Sequence, residues 1–339
     1  MCAKGVLKLQ PDNEPANLFL GNVKIKNRWY DASEADLART SERATEENSK
    51  YDKLSPREKQ IYALKQDSKA SFEKTPFVLD GAPSLPWVVF VDPSVPEPKL
   101  VAEAAMGSAR VALEAFSGRF KTVYNVRGIT EHRILPVCIY GSLSTLRSTF
   151  STPESTRGFF DPATGRLYLA ADDDELAETL LRPAIFQLLQ FISAERPDAG
   201  GQAPTFWLHS GIASWLAAAS TDPAGKRVPG TASPAMLTAL RRVSGNHQLL
   251  SPAEIAGVTS GAYLGKGRGN ARLDLDAQAW ALTKFLNDGA GGKRREAFDR
   301  YMRWDLAGEG RAKAFEEEFG DLKQLAEEYR AFAAELLKD

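Results

Sequence analysis

The sequence predicts an α+β fold: a small mixed-sheet lobe, then a mostly helical C-terminal lobe, behind a helical N-terminal arm. Three observations lead there. Between Pro76 and Ala170, short apolar runs and one long helical stripe follow the order strand, helix, strand, strand. From Asp172 onward the apolar residues recur at helical spacing. Before Pro76 the chain is dense in Glu, Lys, Arg and Ser and sparse in large apolar residues.

Residues 1 to about 75 therefore read as a separable, charged helical arm. Leu7, Leu9, Pro11, Asp12 and Asn13 spell L-x-L-x-P-D-N. This start resembles the end of a tetratricopeptide-type repeat, which implies two helices joined at Pro11–Asn13. A single copy cannot bury both faces of such a unit, so the resemblance also implies neighbouring repeats upstream. The segment from Asp31 to Lys74 reads as one or two solvated helices, with a start signal at Ser55-Pro56. Its composition alone suits a linker.

The sheet lobe begins after Pro76. Trp87–Val91 is an unbroken apolar run of strand length, expected to be buried. Val101, Ala105, Ala109, Ala112 and Phe116 then follow helical spacing, and Lys121–Val126 and Ile134–Tyr140 read as strands. A helix is expected from Ser144. Asp161-Pro162 followed by Gly165 is a turn signal, because Pro presets φ and Gly accepts φ > 0. It predicts a hairpin of Arg157–Phe160 with Arg166–Ala170.

Two helices from Asp172 to Ala219 form the centre of the chain. Asp172, Asp173 and Asp174 suit a helix N-terminus. Leu181, Ile185, Leu188 and Ile192 make the first apolar face, and Leu208, Ile212, Trp215 and Ala219 the second. Loops are expected over Thr221–Val228 and Pro229–Ser233. Further helices are expected over Met236–Val243, along the stripe Leu275, Ala279, Leu282 and Leu286 ended by Gly289, over Phe298–Leu306, and along Leu322, Leu325, Tyr329, Phe332 and Leu336.

The central pair carries a resemblance. Leu180, Leu181, Gln187, Leu188 and Leu189, then Trp207, Leu208, Gly211 and Ala213, match the frame L-L-H-E-x-x-H-Q-L-L and W-L-x-E-G-x-A. The chain thus resembles gluzincin zinc metallopeptidases, in particular the peptidase-MA-like domains of large bacterial proteins. The likeness runs over about residues 85 to 337, including the hairpin, the Leu249–Ala262 segment and the tail from Ala277. It implies a gluzincin-like fold, 76–170 forming the α+β lobe and 171–339 the helical lobe. The functional positions are changed, however. Arg182 and Phe186 stand in the two His slots, Pro183 in the general-base Glu slot and Ser210 in the third-ligand Glu slot. Two His at i and i+4 share a helix face and can bind one zinc ion, with the Glu activating its water. Arg has no lone pair to offer, Phe has no donor atom, Pro has no base and a serine hydroxyl is a poor zinc ligand. No metal and no cofactor are expected.

Composition narrows the partners. Lys plus Arg is 43 and Asp plus Glu 44, which gives no electrostatic case for nucleic acid or an anionic membrane. No run reaches the ~18 apolar residues of a membrane span, and no signal peptide is visible. The chain is expected to be cytoplasmic or a segment of something longer. Cys2 and Cys138 form neither a disulfide framework nor a CxxC pair. Gly261 and Gly265 are too close for a phosphate loop, and Lys266 precedes Gly267 rather than Ser or Thr.

The expected function is a catalytically inactive metallopeptidase homologue that binds a polypeptide or scaffolds a protein assembly. The alternatives are a hydrolase with an unrecognised site and a purely structural module attached to helical repeats. In gluzincins a strand at the hairpin lines the cleft, so the resemblance implies a groove bounded by Phe159, Arg166, Tyr168, Trp207 and His209. Arg182 and Phe186 are expected to fill the metal position and plug it. His209 reads as a hydrogen-bonded histidine rather than a ligand, Arg182 as an ion-pair partner of Glu178, and Ser210 as lacking a His–Asp constellation.

Overall fold

The computed structural model describes residues 3–72, 74–82, 84–120, 134–152, 154, 156–161, 163–194, 206–221, 227–229, 233–259, 262–263, 270–310 and 312–338. The strand expected at Lys121–Val126 lies outside them, as does most of the Gly-rich stretch from Gly261. The chain divides into two compact units, Met1–Tyr62 and Ala63–Asp339.

The first unit opens with helices α1 (Ala3–Leu9) and α2 (Glu14–Phe19), joined where the sequence places the junction. Asn13 caps α2 by accepting from the Ala16 amide at 3.0 Å. The second helix of a repeat does not develop, because α2 stops after six residues. A hairpin follows instead, β1 (Val23–Ile25) with β2 (Arg28–Tyr30), and then α3 (Ala32–Asp52). Asp31 caps α3 through the amides of Ser33 and Glu34. Among its described residues few are buried, namely Ala16, Asn17, Ile25 and Ala35, while Leu9, Leu18, Phe19 and Leu37 are exposed.

Helix α4 (Pro56–Phe72) spans the division between the units. Ser55 and Glu58 cap it reciprocally, as the Ser-Pro start signal predicts. The boundary near residue 75 needs correction: the second unit begins inside α4. Phe72 is buried edge-on against Tyr140 at 5.0 Å, and Asp67 pairs with Arg166, so the end of α4 belongs to the sheet lobe.

The sheet has five strands in the order β3 (Phe77–Asp80), β4 (Trp87–Val91), β5 (Leu135–Tyr140), β7 (Arg166–Ala170), β6 (Phe159–Asp161). The central pairings, β4 with β5 and β5 with β7, are parallel, and both edges are antiparallel. Helix α5 (Pro98–Phe120) connects β4 to the later strands, and α6 (Leu143–Phe150), capped by Ser142, connects β5 to the hairpin. Strand β3 carries no clear alternation and is not foreseen by the sequence pattern.

Side chains alternate across a strand, so each strand serves two cores. Trp87, Val89, Val91, Val137, Ile139, Leu167 and Leu169 face the large helical core. Val88, Phe90, Cys138, Tyr140 and Tyr168 are buried on the other face. Phe150 lies 4.4 Å from Tyr168 there. Burial pushes the Cys138 thiol up to about 11, which leaves it unreactive.

The helical lobe is built on α7 (Leu176–Ala194) and α8 (Phe206–Ala217). Phe206 to Leu216 is buried at every position, so α8 is a helix buried on all sides and not the one-faced helix its stripe suggests. Ala219, assigned to that stripe, instead opens a short hairpin, β8 (Ala219–Thr221) with β9 (Arg227–Pro229), where loops are expected. Helices α9 (Pro234–Gly245), α10 (Pro252–Ala256), α11 (Asn270–Asp288), α12 (Arg295–Leu306), α13 (Ala312–Phe319) and α14 (Leu322–Leu336) complete the lobe. Among the described residues no helix is long and apolar enough to cross a membrane.

Helix α8 packs between α7 and α11. Gly211 makes the approach to α11 possible. A β-carbon there would lie 2.6 Å from the Ala279 carbonyl oxygen and 2.2 Å from the Thr283 hydroxyl. Contacts that short require the helices to move apart.

A chain starting at Leu54 keeps α4 and its cap, and its thermal midpoint should stay within a few degrees of the full chain. A chain starting at Thr75 loses Phe72 and strips Arg166 of its carboxylate. It should be destabilised by about 3 kcal/mol or more in urea unfolding. Equal stability of the two truncated chains would show that α4 is not part of the second unit.

Candidate functional site

Gln187 fixes α7 to the sheet. Its Oε1 accepts from the Trp87 indole at 3.0 Å, and its Nε2 donates to the carbonyls of Pro136 at 3.2 Å and Gly165 at 2.9 Å. A buried amide satisfied on both ends tolerates one orientation, so the rotation of α7 about its axis is specified. That rotation decides where Arg182 and Phe186 point. Pro183 is half-buried within the same helix, which continues past it to Ala194. The ring has no N–H, so the helix forgoes one hydrogen bond at this turn.

Arg182 reaches across to α8 and α11. Its Nε donates to Ser214 Oγ at 2.8 Å and one Nη to Ser210 Oγ at 3.1 Å. The same Nη lies 3.0 Å from Asp276 Oδ2. Ser210 donates to Asp276 Oδ1 at 2.5 Å, and the Tyr263 hydroxyl donates to that same oxygen. Burial opposes the charge on Arg182, but Asp276 and Tyr263 together outweigh it, so the guanidinium stays above its ordinary value. Burial first, and then the Asp276 charge, push the Tyr263 phenol up. The result is a polar plug: one cation, one carboxylate and three hydroxyls joining α7, α8 and α11. The ion pair with Glu178 is not formed. Glu178 is exposed, and the stronger partner lies deeper, on α11.

Phe186, one turn further along α7, seals the inner side of this plug. It is 7% exposed and lies 5.7 Å from Phe160, 5.0 Å from Phe206 and 5.5 Å, edge-on, from the His209 ring. His209 is buried, with its Nε2 3.1 Å from Ser193 Oγ. The Ser193 hydrogen is already donated to the Leu189 carbonyl, so the ring nitrogen is the donor and carries the proton. A nitrogen used that way offers no lone pair to a metal. Burial lowers the His209 pKa to about 4.

The structure therefore brings Arg182 to Ser210 and Phe186 to His209. It does not assemble the groove. Phe159, Arg166 and Tyr168 lie on the opposite face of the sheet from α7. Tyr168 packs against Phe159 at 5.3 Å and Tyr140 at 6.4 Å, and Arg166 pairs with Asp67. Strand β7 is bonded on both sides, so it presents no free edge, and β6 is the edge strand. The single-groove expectation fails on strand parity, because Arg166 and Tyr168 alternate with the core-facing Leu167 and Leu169. Trp207 is not a groove residue either. It is 2% exposed and stacks near Tyr301 at 5.9 Å, towards α12.

Asp276 and Tyr263 are the residues that sequence reasoning misses. A signal for Asp276 exists: Asp276, Trp280, Thr283 and Asn287 follow gaps of four, three and four beside the apolar stripe, and all four are buried. A carboxylate in such a row calls for a cation. Asp173 has a structural role too. Its buried carboxylate accepts from Arg157 at 2.9 Å and from Thr179 at 2.8 Å, and holds the first turn of α7 through the Glu175 amide.

Among the described residues no three His, Cys, Asp or Glu side chains group so as to hold a metal ion. The donor set around Arg182 does not suit zinc, since a guanidinium repels the cation and two serine hydroxyls bind it poorly. Ser193 donates its hydrogen to the Leu189 carbonyl and Ser210 to Asp276, so neither hydroxyl is set to pass its proton to His209. No protein-family model matches the chain, and no curated protein matches it in sequence.

A histidine whose pKa is lowered by folding binds its proton more readily when unfolded. Its stabilisation is complete above the unfolded value near 6.5 and is lost as pH falls towards 4. Urea unfolding at pH 7 and pH 4.5 should show the wild type losing about 2 kcal/mol more than His209→Gln over that interval. Equal losses would mean that His209 is not held neutral.

Proposed function

We propose that the second unit is a gluzincin-like scaffold without catalytic chemistry, serving as a polypeptide-binding or assembly module. The observation that carries this reading is the Arg182–Asp276 pair, which fills the space between α7 and α8 where a metallopeptidase of this frame would hold its ion. Four substitutions at the functional slots coincide with a retained frame, and each frame residue has a packing role. Gln187 sets the rotation of α7, Gly211 allows the close approach of α11, and Leu180, Leu188 and Leu208 are fully buried. A scaffold kept while its site is filled by a salt bridge suits a binding role better than hydrolysis. The end strand β6, half-buried along its length, offers an edge to which an extended peptide can add.

Restoring the ligands tests the reading. The variant Arg182→His/Pro183→Glu/Phe186→His/Ser210→Glu should bind about one zinc per chain by elemental analysis, with folding verified by circular dichroism. The wild type and the four single variants should bind none and leave casein uncut. Stoichiometric zinc in the wild type, or chelator-sensitive cleavage by it, would contradict an inactive scaffold. A folded quadruple variant without zinc would contradict the alignment on which the scaffold rests.

A further inference from the structure

Arg272 is the second cation at the plug. It sits on the first turns of α11, and its guanidinium lies 4.4 Å from the Tyr263 ring centre and 5.8 Å from that of Phe206. Those two rings pack on each other at 3.9 Å, so Arg272 rests on a fixed aromatic platform. Among the described residues Arg272 has no carboxylate partner. It contrasts with Arg242 on the neighbouring helix, which is paired with Asp274. Tyr263 connects the two cations, since its hydroxyl donates to the Asp276 carboxylate that pairs with Arg182, and Arg272 covers its ring. The side chain of Arg182 is 36% exposed despite its bond to Asp276.

Among the described residues the charges around Tyr263 do not cancel. Arg182 and Arg272 contribute two positive charges and Asp276 one negative, with the phenol kept neutral by burial. One unit of positive charge remains on two half-exposed, planar, pre-positioned donors. A guanidinium matches a carboxylate in shape and can hold it through two parallel hydrogen bonds. A monoanion balances the remaining charge, whereas a phosphate dianion would exceed it. We propose that Arg272, with the open side of Arg182, binds one carboxylate of a polypeptide at the mouth of the plug. This rests on the polypeptide-binding reading above and names the group that the site recognises. The carboxylate is a chain terminus or an Asp or Glu side chain, two sources with the same chemistry.

The test uses the full chain, immobilised, and pools of random dodecapeptides in three forms. One pool lacks Asp and Glu and ends in an amide, one lacks them and ends in a free carboxylate, and one contains them and ends in an amide. Wild type should retain at least one carboxylate-bearing pool about tenfold better than the carboxylate-free pool. Which of the two is retained identifies the source. Arg272→Gln, near the exposed end of its helix and not itself bonded to Asp276, should remove the preference while its thermal midpoint stays within a few degrees of the wild type. Arg272→Lys should keep part of it, since the charge remains but the fork is lost. Equal retention of all three pools by wild type would overturn the carboxylate inference and leave polypeptide binding standing. Retention of none would overturn both. A preference that survives in Arg272→Gln, or that millimolar inorganic phosphate abolishes while equal acetate does not, would also overturn it.

Discussion

The carboxylate of Asp276 is the constraint on which the centre of this protein depends. It is the one buried ionised group of its helix among the described residues, whose other buried residues are apolar or uncharged polar, and it accepts from Ser210 and Tyr263 while pairing with Arg182. A buried carboxylate without a cation is costly, so Arg182 must reach it. That reach is possible only because Gln187 fixes the rotation of α7 and Gly211 lets α8 lie close against α11. The helix pair, the long C-terminal helix and the sheet are thus bound to one arrangement by a few polar groups. The apolar core around them supplies most of the stability, and the polar groups select the packing.

Much of the architecture is readable from the chain. Trp87–Val91 reads as a buried strand and the stripe from Val101 to Phe116 as a helix, and both form. Asp161, Gly165 and the flanking residues place the hairpin, with Gly165 at φ +67 in the turn. Ser55 with Glu58 starts α4 where the cap signal stands. The failures have physical causes. The stripe on helix α8 understates its burial, because Phe206, Trp207 and Leu216 lie off the stripe and are buried too, along with Ser210, Gly211 and Ala213. The arm boundary is misplaced because Phe72 is one aromatic residue in a charged stretch, and its partner Tyr140 lies far away in sequence.

The candidate site divides in the same way. That Arg182 and Ser210 share one locus, and Phe186 and His209 another, follows from the i, i+4 geometry of one helix and the register of its neighbour. That Phe159, Arg166 and Tyr168 lie elsewhere depends on which face of the sheet receives odd and even residues of β7. A one-residue change in register reverses that assignment. The helical row marks Asp276 as buried, but no local rule names its partners or places Tyr263, because they are separated along the chain and only the packing of the helices brings them together. The second cation, Arg272, stands out only once the aromatic rings beneath it are located.

A metal ion and a salt bridge solve the same mechanical problem in different ways. Each ties two helices through a point where apolar contact alone would leave room. The ion also brings chemistry, while the salt bridge brings only geometry and a local charge balance. Whether Arg182 and Asp276 act as such a tie is measurable by a double-mutant cycle with Arg182→Met and Asp276→Asn, read by urea unfolding at pH 7. Exposure of about a third of the Arg182 side chain keeps the expectation moderate. Each single variant should cost about 2–4 kcal/mol, and the double variant should cost less than their sum by about 2 kcal/mol. Additive losses, within about 0.5 kcal/mol, would show that the two residues are independent and that the plug does not hold the helices together.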